Sequence, residues 1–164
     1  MAAVQSNIVK WVKASVIKYF TDIASGNSIP MLAEGVDERS ESTMRVNHSE
    51  LRIQGPYISQ LSKSIWKLTL EINVFLTVFM EMSGDAYELY DWGGIFVSAM
   101  NSPINIYKYG SGVEDTGDFI GCLRVKNSKS QDIQFFDFGV AGNDTRVRQA
   151  EIDAAFEMMT TLGE

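Results

Sequence analysis

The chain has 164 residues, is 45% hydrophobic and carries a formal net charge of −7. That length fits one domain burying about 70% of its unfolded surface, and the apolar fraction excludes wholesale disorder. The acidity argues against a basic nucleic-acid-binding surface, and the lone Cys122 and lone His48 exclude an internal disulfide, a cysteine metal cage and a histidine-rich zinc site.

The N-terminal stretch MAAVQSNIVKWVK interleaves polar and basic residues with apolar ones. It lacks the uninterrupted apolar core of a signal peptide. No apolar run approaches the ~20 residues of a membrane-spanning helix. The expected location is a cytoplasm, or a particle assembled there, with no membrane partner.

Residues 6–25 place Ile8, Val12, Val16, Tyr19 and Ile23 at helical spacing, with Val9, Phe20 and Ala24 widening the stripe. Ser6 or Asn7 is positioned to cap the start and Gly26 to close the end. Lys10, Lys13 and Lys18 fall off the stripe, as a solvated face would place them. Residues 27–50 form a long polar loop with little periodicity, holding at most a short strand. Leu51 and Ile53 alternate with Arg52 and Gln54, and that strand is expected to end at Gly55-Pro56.

Residues 65–79, IWKLTLEINVFLTVF, have apolar residues at every even position. Lys67, Thr69, Glu71 and Asn73 hold the odd positions first, and Phe75, Thr77 and Phe79 hold them last. The pattern predicts a strand roughly 50 Å long at about 3.3 Å per residue, apolar on both faces at its far end. Residues 86–100 predict a helix with Leu89, Gly93, Phe96 and Met100 on one face and Asp85 as its cap. Gly93-Gly94 weakens that helix, which close packing on a sheet would explain. Strands are expected at 104–109, 119–126 and 132–138, the last two paired across the polar turn NSKSQ. Residues 147–159 fit both periods, and the clean alternation of Ala150, Ile152, Ala154, Phe156 and Met158 with polar residues favours a strand.

No motif carries chemistry. A P-loop and a GxSxG elbow are absent, and GSGVED holds only half of a dinucleotide fingerprint with no helix after it. His48 sits in a polar stretch without a nucleophile motif nearby, and is expected to be a solvated loop or strand-edge histidine. Tyr87, Tyr90 and Trp92 cluster beside Asp91, which fits core and interface anchoring better than a ligand site. No catalytic residue, metal ligand or cofactor site is assigned.

Three stretches resemble the tail-terminator and tail-completion (neck) proteins of long-tailed bacteriophages. GPYISQLSKSIWKLTLEINVFLTV resembles the family's Gly-Pro and Leu-Ser-Lys segment leading into a long alternating strand. DFIGCLRVK is similar to a later strand, and FFDFGVAGNDTRVRQAEIDAAFEM to its ending. The matching residues are Gly55, Pro56, Leu61, Ser62, Lys63, Gly121, Cys122, Phe138, Gly139, Gln149 and Ala150, and with the N-terminal helix they follow the family's order along most of the chain. Residues 27–50 have no counterpart.

The resemblance implies a single α+β domain over residues 1–164: a mostly antiparallel sheet with one long strand, packed by an N-terminal helix and a second helix. It implies a virion structural protein with no catalysis and no cofactor. Copies would form a ring, expected to be a hexamer, at the head-proximal end of the tail tube. The partners would be the tail tube protein and a neck or connector protein, with DNA passing through unbound. Phe75, Thr77 and Phe79 would then meet a neighbouring subunit. Glu71, Glu114, Asp115 and Asp118 are the expected lining of the DNA channel, where carboxylates repel phosphates. The alternatives are another neck ring, such as a head-completion or stopper protein, or a small-molecule-binding or enzymatic domain using Tyr87, Tyr90, Asp91 and Trp92.

Overall fold

The two longest alternating segments of the sequence lie side by side at the centre of the fold. The computed structural model describes residues 7–38, 40, 44–80, 85–109, 115–126, 132–141 and 144–161. Its elements in chain order are α1 (Ile8–Gly26), β1 (Met31–Ala33), β2 (His48–Gln60), β3 (Trp66–Phe79), α2 (Ala86–Met100), β4 (Ile104–Tyr109), β5 (Asp115–Val125), β6 (Ile133–Ala141) and β7 (Asp144–Thr160). The α+β class with two helices is as expected. The sheet runs β1-β2-β3-β7-β5-β4 with β6 also on β7. It is mixed rather than purely antiparallel, because β1 pairs parallel to Ser49–Leu51.

β3 and β7 pair along 14 positions, from Trp66 opposite Thr160 to Phe79 opposite Val147. Period-two alternation puts Leu68, Leu70, Ile72, Val74, Leu76 and Val78 on one face, all fully buried, beside Ala150, Ile152 and Phe156 of β7. Both helices pack on this face, and together they form the single core cluster.

α1 buries Ile8, Trp11, Val12, Val16 and Phe20. It packs on β4 as well as on β1 and β2, at opposite ends of the strand order, so the sheet curls beneath it. At β4 the contact is a hydrogen-bonded clasp. Ser15 Oγ accepts from the Tyr107 N–H at 3.0 Å and donates to the Tyr107 carbonyl at 3.4 Å. Trp11 Nε1 donates to the Tyr109 carbonyl at 2.9 Å. Side chains of a helix thus occupy backbone groups of a terminal strand that would otherwise stand open to another chain. The helix runs through Gly26, one residue further than expected, and Asn27 closes it by donating from Nδ2 to the Ile23 carbonyl at 2.8 Å.

Two expectations are corrected. β2 does not stop at Gly55-Pro56 but continues to Gln60. The register with β3 shifts between Gln54 and Tyr57, so Gly55 and Pro56 lie in a bulge and the missing proline N–H leaves no ladder bond unmade. Gly55 has φ +103°, and a Cβ there would stand 3.0 Å from the Thr69 carbonyl oxygen. Also, β5 and β6 do not pair with each other. Arg124 and Val125 pair with Glu157 and Phe156, and the Lys126 N–H donates to the Ala155 carbonyl at 2.8 Å. Ile133 then pairs with Ala154, and β6 follows β7 from there. β5 and β6 therefore occupy one edge of β7 end to end. The rest of β5 pairs with β4.

α2 crosses β7, β3 and β6. Gly93 packs on β6 so closely that an added Cβ would sit 2.5 Å from the Phe135 ring. The expected reason for a glycine in this helix holds there. It does not hold for Gly94, whose missing Cβ would meet nothing within 4 Å.

Candidate functional site on the open sheet face

The odd-numbered residues of β3 and β7 point away from both helices, and among the described residues no helix covers them. At one end of this face Phe75 stacks on Phe138 of β6, with ring centroids 6.2 Å apart and planes 20° apart. The Arg52 guanidinium lies 4.2 Å from the Phe75 centroid on the β2 side. Arg52 Nε also reaches Glu50 at 3.1 Å and Glu34 at 3.8 Å. Phe136 and Phe138 are 41% and 51% exposed, so the aromatic end stays open to solvent.

Carboxylates stand beside these rings, Glu151 lying between Phe75 of β3 and Phe136 of β6. Glu71, Glu151 and Asp153 lie on neighbouring positions of β3 and β7, with Asn73 opposite Asp153 and Phe75 opposite Glu151. Asn73 Nδ2 donates to Glu151 Oε1 at 2.7 Å, and Lys67 pairs with Glu157 at 2.9 Å. Asp153 is held above the usual carboxylate range, first by partial burial and then by the charges of Glu151 and Glu71. Its Oδ1 is buried without a hydrogen-bond partner.

Because the folded form holds this proton more tightly than the unfolded chain, the penalty is absent in acid. It appears as pH rises through the folded value. Asp153→Asn is therefore expected to raise stability at pH 7 by about 0.5 kcal/mol, solvent screening keeping the gain small, and to leave it unchanged near pH 3. Thermal melts of the two proteins at both pH values measure this.

The residues singled out from the sequence separate here. Phe75 finds an aromatic and a cationic partner within its own chain. Thr77 is 8% exposed, and its Oγ1 accepts from Gln149 Nε2 at 3.4 Å, so little of it is left for a neighbour. Phe79 is half-buried, and its backbone N–H donates to Asn47 Oδ1 at 2.7 Å. Glu71 belongs to the carboxylate group of the face. Asp118 is exposed on β5, in the β4–β5 hairpin and away from that group. Glu114 lies outside the described residues, and Asp115 opens β5 with its side chain outside them. Glu151, Asp153 and Phe136 were not singled out, and Phe138 only as part of the family resemblance, although the alternation at 147–159 already set the first two on a polar face.

The rival ligand-site residues are in part taken up by the fold. Trp92 is buried, and Tyr90 donates its hydroxyl to Asp137 Oδ2 at 2.7 Å. That bond holds the Asp137 carboxyl below the usual range and raises the Tyr90 hydroxyl. A cleft of about 360 Å³ lies between α1 and β4. Among its polar groups Ser15 bonds to Tyr107, Tyr19 to the Ala99 carbonyl, and Lys18 to Asp22. His48, expected in solvent, is 4% exposed at the start of β2, with Nδ1 2.7 Å from the Val46 carbonyl oxygen. Among the described residues no group of three His, Cys, Asp or Glu is placed to hold a metal ion. No helix there is long and apolar enough to cross a membrane.

No protein-family model and no curated protein sequence matches the chain. A solved structure whose name records no function superposes with a TM-score of 0.53 at 11% identity, over 91% of this chain and 94% of its own. At that identity the likeness is one of fold.

Proposed function

We propose that the protein is a virion structural subunit of a long-tailed bacteriophage. Copies form a ring, six-fold in the family it resembles, at the head-proximal end of the tail tube. The ring ends tube polymerisation, meets a neck or connector protein, and lets DNA pass. It has no catalytic step and no cofactor. The observation that carries this reading is the uncovered sheet face, on which carboxylates and exposed rings stand side by side. Carboxylates at Glu71, Glu151 and Asp153 suit a channel wall that must not hold phosphates. Exposed rings at Phe136 and Phe138, with Phe75 stacked on Phe138, suit a subunit contact at the margin of that wall.

The second reading, another neck ring such as a head-completion or stopper protein, shares these features and differs in the partner met. A small-ligand domain is disfavoured because Trp92 is buried and the Tyr90 hydroxyl is already held by Asp137.

Light scattering at low and high concentration, followed by negative-stain imaging, tests the reading. Rings with a central hole, alone or on added tail tubes, are expected. A monomer at every concentration that also ignores tail tubes overturns it.

A further inference from the structure

The proposed ring needs two different surfaces that fit each other. The two helices supply a pair with opposite charge. In a chain of net charge −7, α1 is the basic exception, with Lys10, Lys13 and Lys18 against Asp22 alone. Lys18 and Asp22 pair at 2.7 Å, and the other two lysines, Lys10 and Lys13, lie one helical turn apart in the first half of α1. α2 carries Glu88 and Asp91 and no cation at all.

The solvent side of α2 is also shaped for a partner. Tyr87 is 71% exposed and Tyr90 42% exposed, two large rings beside the carboxylates. Gly94 lies on the same side with open space around it, and no contact among the described residues explains a glycine there. α2 is fixed to β6 by the Tyr90–Asp137 hydrogen bond and by the Tyr90 ring, 6.2 Å from Phe135. β6 pairs with β7 alone among the described residues, so this helix face stands beside an open strand edge. Tyrosine is favoured at protein contacts, and complementary charge sets partner and register.

We propose that the occupant of this α2 face is a second copy of the chain, which seats the Lys10–Lys13 side of its α1 against Tyr87, Glu88 and Asp91. The contact joins unlike surfaces, so it runs head to tail and closes where the rotation allows. It rests on the ring reading in requiring self-association and adds the surfaces through which this occurs.

Two single charge reversals on the full chain test it, Lys13→Glu and Asp91→Lys, both outside the core. Each is expected to keep the wild-type melting temperature and to weaken self-association at least about tenfold by scattering, through like charges set opposite each other. The equimolar mixture of the two variants is expected to recover the wild-type mass, because each contact in an alternating assembly again joins opposite charges. The double variant is expected to recover it alone. Unchanged assembly of both single variants, or weakened assembly that neither mixture nor double variant restores, overturns this contact and leaves the ring reading standing. A wild-type chain that is monomeric with and without tail tubes overturns both.

Discussion

Phe156→Ala is expected to lower stability by about 3–5 kcal/mol, a fall in melting temperature of roughly 6–20 °C. The ring is fully buried in the middle of β7. It stands opposite Leu70 of β3 on one side and Val125 of β5 on the other. The second pairing matters as much as the lost volume. The two residue pairs at Arg124 and Val125 are the paired register between β5 and β7, and through them the β4–β5 hairpin joins the main sheet. The cavity would therefore open where the hairpin is attached. Amide exchange should accelerate in β4 and β5 more than in β2, and a uniform loss across all strands would refute this account of the junction.

Removing the clasp between α1 and β4 has a second large effect, of a different kind. In Trp11→Phe/Ser15→Ala the helix keeps its apolar face, but the Tyr107 N–H and the Tyr107 and Tyr109 carbonyls lose their side-chain partners. A buried group left unpaired costs about 1–3 kcal/mol; with the Tyr109 carbonyl buried and the two Tyr107 groups only partly so, at about 1 each, roughly 3–5 kcal/mol is expected for the three together. β4 is also the last strand of the sheet, and freeing its outer edge exposes a template for another chain. Lower stability by denaturant titration should be accompanied by concentration-dependent aggregation. If stability falls without aggregation, the side chains hold the helix but do not guard the edge.

Much of this architecture is legible in the chain because strong local patterns coincide with burial. The even residues from Leu68 to Val78 state a core-facing strand outright, and β7 follows from Ala150 to Met158. The stripe from Ile8 to Ile23 gives α1. What escapes is long-range. Residues 119–126 and 132–138, joined by a short polar stretch, have the signature of a hairpin. Yet β7 is long enough to pair with both in succession, and nothing in either segment encodes the length of its partner. Gly55-Pro56 looks like a stop because a bulge that accommodates both residues depends on the register of β3. The open face was half legible. Phe75 and Phe79 were conspicuous on a polar side, but the stacking of Phe138 on Phe75 arises from a β6–β7 register that alternation alone does not fix. His48 was misplaced because its neighbours in sequence are polar, whereas its burial comes from the fold around β2.

The central pairing also sets a timetable for synthesis. β3 ends at Phe79, and the strand that covers its second edge begins only at Asp144. α1 precedes β4 in the chain, and the residues it clasps lie more than ninety positions downstream. Contacts this distant raise the loop-closure cost that must be met before they form, and they place folding in the slower, millisecond-to-second range of strand-rich domains. Until β7 is made, β3 has β2 on one edge and no strand on the other, so one long apolar edge stands waiting. A chain truncated before residue 144 would therefore lack the middle of its sheet, and should be recovered as aggregate rather than as a smaller folded protein.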